Sequence, residues 1–252
     1  MNDTLWTGWQ QAICVSLLTA LLCTAVIGST SAGSTMKPES DVHVHLYNDH
    51  AEVVEFRLPP GAALEEPNGR HRVIVALSRH LARHARDDGS AGEHDLMPGD
   101  LRWLRAGTAR IDNIGDTVAR FLEVRSRVTS LAPDPPGPSA HELSRAPGIS
   151  ELASDRAELR LDNAHFRVTE YRLERQSSLP EHLAANQVLI AFDRVDLLRT
   201  DGDDRSRTLR LGDKRIAWIP AGHQVLKNLG HGMAHFMTVE IKPPQRYTDY
   251  EP

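Results

Sequence analysis

Cysteine is nearly missing from this 252-residue chain: its two copies, Cys14 and Cys23, both fall within one apolar run near the start. The remainder therefore has no disulfide, no thiolate nucleophile and no Cys-ligated zinc. An excess of one charge is lacking too. With 29 Lys and Arg against 34 Asp and Glu the formal net charge is −5, which offers no electrostatic footprint for nucleic acid. Aromatic residues make up 5%, and there is no Gly-rich phosphate loop, nucleophile elbow or His-Glu-x-x-His zinc motif. What is plentiful is turn chemistry: 17 Gly and 15 Pro are spread through an otherwise ordinary globular composition. The length suits two modest domains, each large enough to bury a core.

Residues 12–28 carry no charge and are followed by the small polar stretch Ser29 to Thr35. This is the pattern of a signal peptide, with cleavage after Gly28 or Ala32, and it predicts export to the periplasm or the medium. No Lys or Arg precedes the run, and its length is at the lower limit for crossing a bilayer. A membrane anchor over residues 1–32 is therefore the alternative, and a buried core helix a third reading. Membrane contact is expected only through this segment.

The rest of the chain repeats itself. Residues from about 42 to 125 reappear from about 157 to 240, displaced by 115 positions. The matches include Asn48/Asn163, His50/His165, Glu55/Glu170 and Arg57/Arg172, then Leu64/Leu179 and Val73/Val188, then Asn113/Asn228, Gly115/Gly230, Phe121/Phe236 and Val124/Val239. One displacement held across three separate blocks indicates duplication. Between the copies, residues 129–154 carry Pro133, Pro135, Pro136, Pro138 and Pro147, which prevents a regular helix or central strand and predicts an extended linker. The expected units are thus residues 40–128 and 155–244.

Inside each copy the pattern is β. Val42–Leu46, Val53–Leu58, Arg72–Leu77 and Ala119–Val124 in the first, and Phe166–Leu173, Gln187–Phe192, Arg215–Ile219 and Ala234–Ile241 in the second, are short runs rich in β-branched or aromatic residues, bounded by turn formers. Arg79 to Arg86 is read as a helical turn or two with solvated His and Arg side chains.

In the second copy, Gly212-Asp213 leads into Ile219-Pro220-Ala221-Gly222-His223 and then Asn228-Leu229-Gly230. This resembles the second conserved motif of the cupin superfamily. The first copy has a worn version in Gly99-Asp100, Ala106-Gly107-Thr108 and Asn113-Ile114-Gly115. With the duplication, most of residues 42–241 resembles a bicupin. The resemblance implies an all-β fold of two antiparallel barrels of jelly-roll type, preceded by the N-terminal apolar helix.

The same resemblance implies where a metal would be held: by a His-x-His pair and a Glu from the first motif and a His from the second. The first copy has only Glu66, Pro67, Gly69 and His71 in the first region, and Thr108, Ala109 and Arg110 in the second, so no metal is expected in barrel one. The second keeps His182, with Asn186 and Gln187 near the Glu position and His223 or Gln224 in the last slot. Two imidazoles with neutral amides are a poor donor set for a divalent ion. His182 and His223 are nonetheless the ligands of the alternative, in which barrel two holds one Mn, Fe, Ni or Zn ion.

Candidate pocket residues are therefore His182, Gln187, His223, Gln224 and His235 in the second copy, and His71, Arg110 and Arg120 in the first. His43 and His45 share one strand face and are read first as exposed. Glu55 with Arg57, and Glu170 with Arg172, read as structural ion pairs because both copies have them. The function expected is an exported protein that binds a small molecule or assembles with itself, with no cofactor, no nucleic-acid partner and homo-oligomers allowed. A metal-dependent oxygenase or isomerase acting from barrel two is the alternative.

Overall fold

A computed structural model of the chain describes residues 40–65, 70–86, 89–106, 110–128, 157–212 and 215–243, all within one compact unit, Lys37–Pro252. The N-terminal segment 1–32 and the linker 129–154 lie outside the described residues. Among those residues the secondary structure is β throughout. The first copy contributes β1 (Asp41–Tyr47), β2 (Ala51–Leu58), β3 (Ala63–Glu65), β4 (Arg72–Ala76), β5 (His80–Ala85), β6 (Ala91–Leu96), β7 (Leu101–Leu104), β8 (Arg110–Asn113) and β9 (Ala119–Ser126). The second contributes β10 (Ala157–Asp162), β11 (Phe166–Leu173), β12 (His182–Ala184), β13 (Asn186–Ala191), β14 (Val195–Asp201), β15 (Ser206–Leu211), β16 (Ile216–Ile219), β17 (Gly222–Asn228) and β18 (Ala234–Ile241).

Each copy forms a five-stranded and a four-stranded antiparallel sheet. The orders are β1-β2-β9-β4-β7 with β3-β8-β5-β6, and β10-β11-β18-β13-β16 with β12-β17-β14-β15. Alternation along the strands sorts the apolar side chains into three cores. Val54, Phe56, Leu58, Ile74 and Phe121 meet Ala82 and Ile111 of the smaller sheet inside the first barrel. Tyr171, Leu173, Leu189 and Phe236 meet Val195, Leu197 and Leu226 inside the second. The opposite faces of the two large sheets share a third core, in which Val53, Val73, Val75, Leu122 and Val124 pack with Phe166, Val168, Val188, Ile190, Met237 and Val239.

The contact between the copies follows the repeat. His50 stacks on Trp218 at 5.7 Å, and Asn186 Nδ2 donates to His50 Nδ1 at 3.4 Å. Its counterpart His165 stacks on His71 at 3.8 Å and on Trp103 at 6.4 Å. His71 stands where the second copy has Asn186, and Trp103 where it has Trp218, so the two contacts are related by a pseudo-two-fold operation.

The repeated polar residues have local structural work. Asn48 Oδ1 accepts from the amides of His50 and Ala51, both at 2.9 Å, and Asn163 Oδ1 does the same for His165 and Phe166. These side chains close the first hairpin of each copy. Buried Asn228 donates through Nδ2 to the carbonyls of Leu173 and Gly232 and accepts from Gly230 N at 2.8 Å. Asn113 makes the corresponding bonds to Leu58, Thr117 and Gly115. A β-carbon on Gly230 would stand 3.0 Å from Asn228 Oδ1, and one on Gly115 3.2 Å from Leu81 N, so glycine at this position leaves the brace its room.

One expected element is different. Residues 80–85 form a strand, β5, whose His80, Ala82 and His84 are buried while Leu81 and Arg83 point outward. The helical reading of Arg79 to Arg86 treated histidine as solvated, which hid a period-two pattern with histidines on the inner side.

Replacing Asn228 with Ala strands two carbonyls and an amide, and should cost about 2–3 kcal/mol. Urea unfolding of N228A and N113A is expected to show comparable losses; a loss confined to one of them would contradict equivalent braces.

Candidate functional site

In the second barrel the inward positions of β12, β13 and β17 bring together His182, Gln187 and Gln224. His182 Nδ1 lies 3.0 Å from the Pro180 carbonyl, which can only accept, so that nitrogen carries the proton. Its Nε2 lone pair is met by Gln224 Nε2 at 3.3 Å, and Gln224 Oε1 accepts from Arg199 Nε at 3.3 Å. The polar chain therefore runs in one direction, from guanidinium to amide to imidazole to carbonyl. It commits the only imidazole lone pair of this inward set and places a fixed cation one side chain away.

Gln224, not His223, takes the inward slot: Gln224 is 1% exposed, whereas His223 points outward and pairs with Glu181 on the surface at 3.4 Å. Gln187 sits opposite Glu240 in the β13–β18 ladder, and its Nε2 has no hydrogen-bond partner among the described residues. Burial pushes the Glu240 carboxyl upward, against the pull of the Ala185 amide and of Arg167. The arrangement can donate and accept hydrogen bonds, with the Arg199 guanidinium as its fixed charge.

The first barrel fills the corresponding interior with ions. Arg72 stands at the position of Gln187, Glu123 at that of Thr238 and Arg125 at that of Glu240. Glu123 is fully buried and lies 2.8 Å from Arg125 Nη2 and 3.5 Å from Arg72 Nε. Arg125 continues to Glu52 at 3.7 Å, and Arg70 approaches Glu52 at 3.3 Å. A guanidinium cannot ligate metal and repels one nearby. The donor sets of both barrels are therefore a poor fit for a divalent ion, and among the described residues no group of three or more His, Cys, Asp or Glu is arranged to hold one.

The other sequence candidates lie elsewhere. Arg110 is an outward residue of β8, paired with Glu65 and Asp112 at 2.7 and 2.6 Å. His71 belongs to the stack between the copies, where it also accepts from Ala106 N at 3.3 Å. Arg120 and His235 face away from their barrel interiors, beside the shared core, where each contacts a buried glutamate. Glu66 and Gly107 to Ala109 lie outside the described residues.

Those glutamates are held alike by unlike partners. Glu55 contacts His45 at 3.0 Å, Arg57 at 3.3 Å and Arg120 at 2.7 Å. Glu170 contacts Arg160, Arg172 and, at 2.7 Å, His235. Each carboxylate has two arginines and one histidine, but the histidine comes from the first strand in one copy and from the last in the other. Burial alone would raise the pKa of Glu55; the bonds from Arg120, His45 and Arg57 outweigh it and bring the value down to about 2. Glu170 is lowered by His235, Arg160 and Arg172, again against burial. Beside Glu55 a cavity of about 330 Å³ opens, lined by Asp41, His43, His45, Glu55 and Arg57, so the His43/His45 face is the wall of a recess.

No protein-family profile matches the chain, and no curated protein matches it by sequence. Solved structures do. AerE from Microcystis aeruginosa superposes with a TM-score of 0.59 at 13% identity, over 82% of this chain and 95% of that one. The oxalate decarboxylase of Lactobacillus farciminis, in a formate complex, gives 0.59 at 14%, over 81% and 85%. A cupin 2 conserved barrel domain protein from Leptotrichia buccalis gives 0.51 at 11%, over 83% and 92%. The fold is that of a bicupin. At these identities the likeness concerns fold alone, and bicupin architecture by itself assigns no chemistry.

Sequence reasoning missed Arg199, Glu240 and the Arg72–Glu123–Arg125 network of this bicupin-like fold. The signal for the last was present: Arg72 replaces Gln187 in the repeat, and Glu123 and Arg125 alternate with Leu122 and Val124 on a strand that both sheet faces bury.

The lowered carboxyl of Glu55 makes stability pH-dependent in a fixed direction. Between the unfolded value of 4.5 and the folded value of about 2 the unfolded chain binds a proton that the folded chain does not. Stability therefore falls as pH drops through that window, by about 3 kcal/mol from this group. E55Q should be less stable at neutral pH and lose less of its stability between pH 4.5 and 2, as read by urea midpoints across that range. Superimposable pH profiles for both proteins would contradict the assignment.

Proposed function

We propose that this chain is an exported, metal-independent bicupin that binds a small, hydrogen-bonding molecule in its second barrel. The observation that carries the reading is the Arg199–Gln224–His182–Pro180 chain, which occupies the imidazole lone pair a metal would need. The Gln187 Nε2, which has no hydrogen-bond partner among the described residues, and the Glu240 carboxyl, pushed upward by burial, supply donors and acceptors for a polar ligand. Export is supported by the uncharged run 12–28 and the small residues after it. The mature protein is expected to start between residues 29 and 36, as N-terminal sequencing of the exported form would show, whereas full-length protein in the membrane fraction would select an anchor.

Self-association is a second reading, favoured by the edge strand β1, whose Val42 and Val44 are 51% and 53% exposed. Light scattering over a concentration series tests it.

The metal question has its own measurement. Thermal unfolding of wild type and H182Q, each with chelator and with added Mn, Fe, Ni or Zn, should give midpoints that neither chelator nor metal shifts. A wild-type midpoint that falls on chelation and returns with one metal, with no response in H182Q, would replace this reading by a metal-dependent enzyme.

A further inference from the structure

Barrel one holds a second polar cluster, apart from the Glu123 network. Arg102 of β7 faces inward beside Ile74 and reaches across to the smaller sheet, where Nη2 donates to His94 Nδ1 on β6. That bond leaves the His94 proton on Nε2. Gly92 gives the ring its room, since a β-carbon there would stand 3.1 Å from Nε2. His84 of β5 meets His94 edge-on at 5.2 Å. It is 6% exposed, and its Nδ1 has no partner among the described residues. His80, also inward on β5, donates from Nδ1 to the Ser78 carbonyl at 2.8 Å.

This cluster has basic groups and little to balance them. Among the described residues Arg102 forms no salt bridge, and neither do His84 or His94. Burial, then His94, Arg102, His80 and Arg72, depress His84 to about 3. His94 is lowered by burial and by Arg102 and Arg86. Burial also lowers Arg102, with Asp100 acting in the opposite sense. A partly buried guanidinium bonded to a neutral imidazole, instead of to a carboxylate, is costly unless something else neutralises it.

We infer that the inner face of β5, β6 and β7 in barrel one is a binding site for a small oxyanion, a carboxylate or an inorganic ion such as phosphate or sulfate. Such an anion accepts N–H groups from Arg102 and from His94 Nε2, and meets the unpartnered edge of His84. Planar guanidinium groups suit two-oxygen acceptors of this kind. A divalent cation is excluded by the same guanidinium. The inference rests on the reading of the chain as a ligand-binding protein, but it concerns barrel one, whereas the metal test above probes His182 in barrel two.

Titration of the full chain with acetate, succinate, phosphate and sulfate at matched ionic strength, with chloride as reference, tests it by calorimetry and thermal unfolding. At least one of these anions should bind saturably and raise the midpoint, and the series that binds identifies the ligand as a carboxylate or an inorganic oxyanion. R102Q should lose at least tenfold in affinity, R102K less, and H182Q nothing. H94Q, which keeps the charge, serves if R102Q does not fold, and should also weaken binding. Absence of saturable binding by all four anions, or wild-type affinity in a folded R102Q or H94Q, would overturn the proposal.

Discussion

The structure depends on the face-to-face packing of the two five-stranded sheets. Each large sheet closes its own barrel with one face and meets the other copy with the opposite face, so its central strands have no solvent side. That is why β4 and β9 are buried almost end to end, and why β13 and β18 match them. Any charged residue on these strands must find its partners inside the protein. Glu55, Glu123 and Glu170 do so, each with arginine close by, and the polar interiors of both barrels are built under the same constraint.

How much of this was legible depended on where a strand lies. Central strands such as Val53–Leu58 and Ala234–Ile241 announced themselves as apolar runs, and the 115-residue displacement located their partners. The smaller sheets were harder. β5 and β6 carry histidine, arginine, glutamate and aspartate, and β15 two arginines, among few large apolar residues, and a polar side chain that faces a barrel interior looks in sequence like one that faces water. The same ambiguity misplaced Arg120 and His235, whose alignment with each other was visible while the face they occupy was not. Deciding between His223 and Gln224 required knowing which parity of β17 points inward.

The repeat also shows which properties are held and which drift. The Asn-x-Gly brace keeps identical residues because a hydrogen bond and a close approach of backbone both depend on them. The glutamate clusters keep composition while exchanging positions, since a carboxylate needs two guanidinium groups and an imidazole but not a particular strand to supply each. The barrel interiors keep neither: Arg72, Glu123 and Arg125 correspond to Gln187, Thr238 and Glu240, so two guanidinium groups of the first barrel have no counterpart at these positions in the second. Two pockets of one architecture have thus become chemically unlike while the scaffold around them stayed the same.

The stacked contacts between the copies carry a consequence for how such a chain is assembled. His50 and Trp103 belong to the first copy, and each presses against the second, His50 on Trp218 and Trp103 on His165. One copy therefore bears both halves of a self-complementary surface. Two identical single-barrel chains bearing that surface would meet about a true two-fold axis, burying the same valines that now fill the shared core. In those terms the chain is the covalent counterpart of such a dimer. Covalent joining removes the concentration dependence of such an association, and allows the two pockets to differ.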